Sequence, residues 1–473
     1  MPYIPATLND WWRIVQPHAT PLLVYQITVS LMVAYSLVIA IMDWFTFQRP
    51  TAEETTSLRM LSLLGLIPRP APRLAVGMGD VGRRDAGSPS APAFSVSAET
   101  RPNHANSVSD SRIGSGSPQS VPSSHEIGAN SEMPSLSVLI PARNEEANIG
   151  ACVESLCAQE YSGRLEILVL NDGSTDRTGE IVAALAAKDN RVRLIHGGEL
   201  LPGWKGKPNA LRQLQAAATG EMLLLTDADC VFYPDALTLA VRHRERVGAD
   251  CLSLKPYHEC LTFWENVMLP LQYFLVFAML PIPSVSLTKN PAFAAANGAF
   301  LLLPARIYND LGGHEAVKGE MAEDVKFAQY VKKRGYRMSY GDGTATYKVR
   351  MYDSLKGIFD GFSKNLFPAM DRSLPVLIGW CLFLITTQIV PFLFVGVSVF
   401  HKVRTWDSFW FPFWHVMVAL TIRIALTLRF RQALWAVPTH PLGWLVTMGV
   451  AVNSAYQYYS GKGHSWKGRT YQT

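Results

Sequence analysis

The longest apolar runs lie near the two ends of the chain. Residues 21–42 carry no charge and are numerous enough to cross about 30 Å of hydrocarbon as a helix. Because no clear small-residue cleavage site follows, we interpret this run as a retained anchor rather than a signal peptide. Three more runs lie at residues 375–400, 409–428 and 441–459, and the last is the weakest because polar residues interrupt it.

The region between these runs is predicted to be cytoplasmic. Loops on the cytoplasmic side carry an excess of Lys and Arg, and basic residues are more frequent after the first run (Arg49, Arg59, Arg69, Arg73) than before it (Arg13). Three later spans would leave the basic C-terminal tail on the other side, so one of the three is expected not to cross.

A further apolar stretch at residues 263–283 would divide the middle region between two sides if it spanned the membrane. We interpret it as a helix lying in the membrane surface. Glu265 and Gln272 are the polar residues that favour this interpretation. A buried core helix is the alternative.

Four segments are expected along the chain: an anchor segment at 1–48, a linker at 49–132, a catalytic domain at 133–372 and a membrane region with a basic tail at 373–473. The linker is predicted to be disordered, because most of it is rich in Ser, Pro, Gly, Ala and Arg and cannot bury enough apolar surface.

Short apolar runs alternate with helical patterns from residue 133 onwards. Strands are predicted at residues 136–140 and 165–170, in VRLIH and in EMLLLTD, with helices between them. This alternation is typical of an α/β fold with a mostly parallel sheet covered by helices on both faces. Ligands of such sheets bind beyond the carboxyl ends of the strands.

Composition changes this picture little. The net charge of +5 gives no support for nucleic-acid binding. Charged residues make up only 17%, which is low and agrees with membrane segments. The six cysteines form no CxxC pair, so a disulfide framework or a zinc site is not favoured and a reducing compartment is expected.

Paired acids follow the strand in EMLLLTDADC. Asp227 and Asp229 flank the small Ala228 directly after a buried run. Such a pair can hold a hard divalent cation that takes its other ligands from water and a diphosphate. The alternative is a cap for the helix that follows, where acids are common.

Other acids lie at a strand end and at a helix start. Asp172 follows the second strand and can accept hydrogen bonds from a nucleotide base or ribose, although Asn-Asp-Gly-Ser is also strong turn sequence. Glu323 and Asp324 begin a predicted helix, where an acid either stabilises the helix start or acts as a general base.

Five motifs occur in the order expected of family 2 glycosyltransferases: SVLIPARNEE, VLNDGSTD, GWKGKPNAL, LLLTDADC and GEMAEDVKFAQYVKKRGY. The chain therefore resembles these inverting enzymes of GT-A fold over residues 137–336. The anchor, RMYDSLKGIFDGFSKNLF, the later apolar runs and SWKGRTY resemble the lipid-glycosylating branch, which includes carotenoid glycosyltransferases of the diaponeurosporenoate and 2'-hydroxycarotenoid types.

The resemblance implies roles for the matching residues. Asp324 would be the catalytic base with Glu323 beside it, and Asp229 with Asp227 would hold Mg²⁺ or Mn²⁺. The donor would be bound by residues at the strand ends and in the GK step: Pro141, Ala142, Asn144, Glu145, Asp172, Lys207 and Asp227.

We expect an enzyme that moves one sugar from a nucleotide-sugar donor, UDP-linked, to a membrane lipid such as a carotenoid. The QxxRW motif of processive synthases is missing after Asp324, which favours a single transfer. Cationic help to the diphosphate is then expected from Arg350, Lys364, Lys467 or Arg469. Alternatives are a polysaccharide or polyprenyl-phosphate glycosyltransferase and a non-catalytic, nucleotide-binding membrane scaffold.

Overall fold

The structure is a computed structural model that describes residues 21–46, 133–460, 464–466 and 469–471. The linker predicted at residues 49–132 and the side chains of the basic tail, including Lys467 and Arg469, lie outside the described residues. The basic residues on either side of the first apolar run also lie outside the described residues: Arg13, Arg49, Arg59, Arg69 and Arg73.

The middle of the chain forms one sheet of seven strands and one of three. In chain order the strands are β1 (Leu136–Ala142), β2 (Leu165–Asn171), β3 (Val192–His196), β4 (Met222–Leu225), β5 (Cys230–Phe232), β6 (Cys251–Lys255), β7 (Tyr257–His258), β8 (Leu301–Pro304), β9 (Met338–Asp342) and β10 (Tyr347–Val349). The larger sheet has the order β3-β2-β1-β4-β8-β6-β9, and the smaller has the order β5-β10-β7. Within the larger sheet β8 alone runs against its neighbours, so the expected mostly parallel α/β arrangement is confirmed.

The described chain has helices that cover both faces of the large sheet and apolar helices near its two ends. They are α1 (Pro21–Thr46), α2 (Ile149–Cys157), α3 (Thr178–Ala186), α4 (Gly206–Ala217), α5 (Ala236–Val247), α6 (Phe263–Met268), α7 (Pro270–Met279), α8 (Ile282–Leu287), α9 (Ala305–Asp310), α10 (Glu323–Lys333), α11 (Leu355–Ser363), α12 (Leu366–Ala369), α13 (Leu374–Leu384), α14 (Val390–Phe400), α15 (Phe411–Arg429) and α16 (His440–Tyr459). A hairpin of β11 (His464–Trp466) and β12 (Arg469–Tyr471) follows.

Alternate residues of each strand face two different cores. Leu139 and Leu223 pack with α4, α7 and α10 on one face. Val138 and Leu224 pack with α2 and α5 on the other. Because both faces of the sheet are covered, the strand sequences are unbroken apolar runs and do not alternate between apolar and polar residues.

Three helical stretches of the described chain are long and apolar enough to cross a membrane: Tyr25–Trp44, Leu374–Phe400 and Trp406–Arg429. The second consists of α13, a π-helical turn at Ile385–Ile389 and α14. α16 does not meet these criteria, in agreement with the weakness of its sequence pattern.

The apolar stretch at 263–283 forms the three short helices α6, α7 and α8. The expectation of one continuous helix is therefore wrong. Pro270 begins α7, and Pro281 precedes α8 after an extended Leu280. The side chains of α7 are largely buried and share a core with Val29 and Val33 of α1, which agrees with the core-helix alternative.

Polar contacts connect the ends of the apolar helices to the catalytic domain. Asp43 Oδ1 accepts a hydrogen bond from the backbone N–H of Ile282 at 2.9 Å. Arg429 at the end of α15 donates to the Trp44 carbonyl at 2.7 Å, and its guanidinium lies 3.6 Å from Asp342 Oδ2 at the end of β9. One arginine thus connects two apolar helices with the sheet.

Replacing Arg429 with Met should destabilise the protein. The fully buried Asp342 would lose its cation but keep two hydrogen bonds from Thr344, so we expect the free energy of unfolding to fall by up to about 3 kcal/mol. The measurement is the thermal unfolding midpoint of the detergent-solubilised protein. Arg431→Met, at an exposed position nearby, is the matched control, and equal midpoints for the two variants would contradict the role of the ion pair.

Candidate active site

A cavity of about 590 Å³ lies at the carboxyl ends of β1, β4 and β6. The predicted site residues that line it are Pro141, Glu145, Lys207, Asp227, Asp229, Glu323 and Asp324. The other three predicted residues, Ala142, Asn144 and Asp172, are not among the residues that line it. The fold therefore collects the charged residues of four motifs in one place.

Lys207 is the cation at the centre of this cluster. Its Nζ lies 2.7 Å from Asp227 Oδ1 and 2.9 Å from Glu323 Oε1. The lysine occupies the first turn of α4, where the helix dipole disfavours a positive charge. Burial would lower the pKa of Lys207, but Asp227 and Glu323 outweigh burial and raise that pKa well above its ordinary value. The ammonium therefore stays charged.

Asp229 is held close to other acids. Burial raises the pKa of Asp229 to about 7, and the charges of Asp227 and Glu145 add to this effect. A divalent cation would remove the repulsion, and Mg²⁺ commonly takes one or two carboxylates with water and phosphate completing its shell. The pair thus fits such an ion. The described residues contain no group of three or more His, Cys, Asp and Glu side chains able to hold a metal.

Asp324 lies in the first turn of α10 and contacts a second segment. Its Oδ2 accepts a hydrogen bond from the Gly298 N–H at 2.9 Å, and its Oδ1 accepts one from the Val325 N–H at 2.8 Å. Burial, followed by the charge of Glu323, raises the pKa of Asp324 to about 6. The carboxylate stabilises the helix start and also lines the cavity, whereas its role as a general base stays a prediction.

The loops after β1 and β2 are joined behind the cavity wall. Asn144 has a positive φ of 51°, its N–H donates to Ser174 Oγ at 3.0 Å, and its Oδ1 accepts from the Thr175 N–H at 2.9 Å. The N–H of the buried Asp172 donates to the Ala142 carbonyl at 2.8 Å. These three predicted donor-binding residues thus shape the loops that carry Pro141 and Glu145.

Sequence reasoning missed several residues of the cavity. Lys255 ends β6, and Gly298 supplies the N–H to Asp324; both line the cavity. The sequence CLSLK has the same pattern as the strand before Asp227, a buried run that ends in a charge, and this signal could have identified Lys255. Of the cations named as candidates, Lys364 lines the cavity, whereas Arg350 donates to Glu265 at 3.0 Å.

Comparison with known proteins identifies the domain. Residues 137–297 match the sequence family described as Glycosyl transferase family 2. This chain carries a family 2 glycosyltransferase domain. The glycosyltransferase is similar to 4,4'-diaponeurosporenoate glycosyltransferase of Staphylococcus aureus strain USA300, with 24% identity over 344 residues that cover 71% of this chain and 88% of the relative. The protein of the same name from Staphylococcus haemolyticus strain JCSC1435 is 24% identical over 271 residues, 57% of this chain and 70% of the relative.

Solved structures are also similar to this glycosyltransferase. The mannosyltransferase PcManGT from Pyrobaculum calidifontis in complex with GDP-Man and Mn²⁺ has 17% identity and a TM-score of 0.43, and the alignment covers 68% of this chain and 86% of PcManGT. S. aureus TarS 1-349 in complex with UDP-GlcNAc has 16% identity and a TM-score of 0.34, covering 72% and 96%. The family match and the mostly parallel sheet confirm the expected GT-A class.

A methyl group at Gly298 should disturb the site. A Cβ there would lie 2.8 Å from Lys207 Nζ and 3.4 Å from Asp324 Oδ2, so the ammonium would have to move away from its carboxylates. We expect Gly298→Ala to lower the turnover of the nucleotide-sugar donor by about 10- to 100-fold.

The matched control is Gly396→Ala, because a Cβ at that glycine meets nothing within 4 Å. Both variants should unfold at the temperature of the wild type within a few degrees. Wild-type turnover by Gly298→Ala would show that the spacing of Lys207 and Asp324 is not important for the reaction.

Proposed function

We propose that this enzyme transfers one sugar, with inversion, from a UDP-linked sugar to a lipid acceptor in the membrane, such as a carotenoid. One observation carries the proposal: the cavity and the apolar helices share a wall. α7 lines the cavity through Gln272, Leu275 and Val276 and packs against α1. The names of the Staphylococcus relatives, which specify 4,4'-diaponeurosporenoate, support an acceptor of this kind.

The donor side of the cavity is formed by the ends of β1 and β4. Pro141, Glu145, Lys207 and Asp227 would contact the nucleotide sugar there, while Ala142, Asn144 and Asp172 would fix the shape of the nucleotide-binding loops. Lys207 would also place its charge near the diphosphate once the donor is bound. This assignment is supported by the position of ligands beyond the carboxyl ends of parallel strands.

Asp229 and Asp227 would hold Mg²⁺ or Mn²⁺. When bound, such an ion neutralises the negative charge that develops on the departing nucleoside diphosphate. The support on this chain is the oxygen chemistry of the pair and the raised pKa of Asp229, which is caused first by burial and then by the charges of Asp227 and Glu145. An added positive charge would offset both effects.

Asp324 would act as the general base. Its ionised carboxylate takes the proton of the acceptor O–H while the acceptor oxygen attacks the anomeric carbon in line with the leaving group. The bond from that carbon to the diphosphate oxygen breaks, and its electron pair leaves with the nucleoside diphosphate. A single displacement inverts the anomeric configuration. The Gly298 N–H fixes the carboxylate and so supports this role.

The enzyme would be an integral membrane protein with several spans and a cytoplasmic catalytic domain at residues 133–372. Three apolar helices of sufficient length support the membrane location. The excess of basic residues after the first run supports the orientation.

Replacing Asp324 with Asn should abolish the product. We expect a lipid heavier by one sugar in extracts of cells that express the wild type, and a loss of about 100-fold or more in the variant, because the amide cannot accept the proton. The measurement is mass spectrometry of total lipid extracts, from a host that contains carotenoids, hopanoids and sphingolipids. Asp235→Asn, an exposed acid outside the cavity, is the control.

Other outcomes identify the alternatives. Products that grow longer with reaction time would indicate a polysaccharide synthase. An unchanged lipid profile together with tight nucleotide binding would indicate a scaffold without turnover.

The pH dependence should follow Asp324. Since burial raises its pKa to about 6 and the ionised form is the base, the rate constant kcat/KM for the lipid acceptor should not increase further above that pH. Below it, kcat/KM should fall about tenfold per unit as the carboxylate takes up a proton. The profile is measured in excess Mn²⁺, so that titration of Asp229 does not contribute. A midpoint near 4 would contradict a buried base.

A further inference from the structure

The cavity contains a second buried lysine, on the side formed by β6 and α7. Lys255 is only 4% exposed. Its Nζ donates a hydrogen bond to Gln272 Oε1 at 2.8 Å and lies 5.4 Å from the centre of the Tyr273 ring. Gln272, a polar residue within the apolar stretch at 263–283, is thus the direct partner of this lysine.

Lys255 differs from the other buried lysines of the domain. Lys207 has two carboxylates within 3 Å, and the three donors of Lys332 are accepted by three backbone carbonyls. Among the residues that the structure describes, no carboxylate lies within ion-pair distance of Lys255. An ammonium has three donors, and Gln272 accepts one of them. Lys255 is therefore a buried cation with donors available to a ligand of the cavity.

The surroundings of Lys255 favour an anion. Burial lowers the pKa of Lys255 to about 7, although the charge of Asp324 acts in the opposite direction. A buried charge of this kind is stabilised most effectively by an opposite charge that also accepts its hydrogen bonds. A ligand with an anionic oxygen would supply both.

The position of Lys255 indicates the acceptor rather than the donor. Its partner Gln272 belongs to α7, whose Leu275 and Val276 form the apolar part of the cavity wall and which packs against α1. The proposed diphosphate site is at Asp227 and Asp229, where Lys207 already supplies a cation. Lys255 and Asp324 both line this cavity.

We propose that Lys255, oriented by Gln272, binds the anionic oxygen of an acidic lipid acceptor, a carboxylic acid or a phosphate. This rests on the proposed function and specifies its substrate class. The acid oxygen forms the bond to the anomeric carbon, and the bond from that carbon to the diphosphate breaks with its electrons on the nucleoside diphosphate. The product is a glycosyl ester or a glycosyl phosphate, not the glycoside of an alcohol.

Asp324 and Lys255 have complementary roles in this reaction. An acid that enters the apolar cavity with its proton gives that proton to Asp324, and Lys255 then binds the oxyanion. The oxyanion that forms would be repelled by the Glu323 carboxylate nearby, while Asp324 is neutral because it has taken up the proton. The Lys255 ammonium offsets that repulsion and holds the oxygen for attack.

The first test is the chemistry of the linkage in the sugar-bearing lipid made by cells that express the full chain. A carboxylic acid acceptor gives an ester that mild alkali cleaves. A phosphate acceptor gives a phosphorus-containing lipid that mild acid cleaves and mild alkali does not. Either result supports the proposal and identifies the source of the anion. A product stable to both treatments would be the glycoside of an alcohol and would overturn it.

The second test is kinetic and uses the lipid acid released from that product by hydrolysis. We expect Lys255→Met to lower kcat/KM for this acid by about 30-fold or more, with the donor KM unchanged, and Lys255→Arg to restore part of the loss. Lys333→Met, an exposed lysine outside the cavity, is the control.

A wild-type value of kcat/KM for the acid in Lys255→Met would overturn the role of this lysine. A parallel rise in the donor KM would instead assign Lys255 to the donor, which also overturns the proposal. If the wild type makes no sugar-bearing lipid at all, the proposed function itself fails, and that result is distinct from a product with an alcohol linkage.

Discussion

The pairing of Lys207 with two carboxylates is the interaction on which the rest of the site depends. Asp227 belongs to the loop after β4, and Glu323 begins α10, so one ammonium joins two elements far apart in the chain. Without it, the acids of the DxD sequence and of the helix start would face each other in a partly dry cavity, where repulsion between like charges is strong. The Lys207 ammonium thus allows several carboxylates to lie close together, where each can have a different chemical role.

The cavity has two walls of different character. The wall that is proposed to bind the donor consists of strand ends and tight loops held by backbone hydrogen bonds, as between Asp172 and Ala142. The opposite wall consists of α7, an apolar helix interrupted by Gln272. Because α7 is buried between the sheet and α1, the catalytic domain and the apolar helices form one continuous core. The proposed membrane-bound acceptor and water-soluble donor could therefore meet without any large separation of the two parts.

Much of the fold could be predicted from the sequence because the strands of a sheet covered on both faces are unbroken apolar runs. The strands predicted at 136–140 and 165–170 are each present and extend slightly further, to Ala142 and Asn171. The acids of the cavity could be found because Asp227 follows such a run directly. Lys255 has the same local pattern, yet its burial depends on β8 and β9 on either side of β6, which local sequence does not specify.

Two other features needed the structure for different reasons. The division of residues 263–283 into three helices agrees with the positions of Pro270 and Pro281, because proline disfavours the continuation of a helix. The resemblance to family 2 glycosyltransferases implies donor contacts for the loops at Asn144 and Asp172. The structure shows them accepting and donating hydrogen bonds to one another's backbone, a partnership that depends on the parallel pairing of β1 with β2.

The contact between Asp43 and Ile282 has a consequence for how the protein is made. The two residues are 239 positions apart, so the ribosome completes the first helix long before its partner exists. During that interval the Asp43 carboxylate must find water or lipid headgroups as temporary partners, since an unpaired buried acid is costly. Extra chain length adds only slowly to the entropy of closing a loop. A long intervening segment therefore delays this docking in time without greatly weakening it at equilibrium.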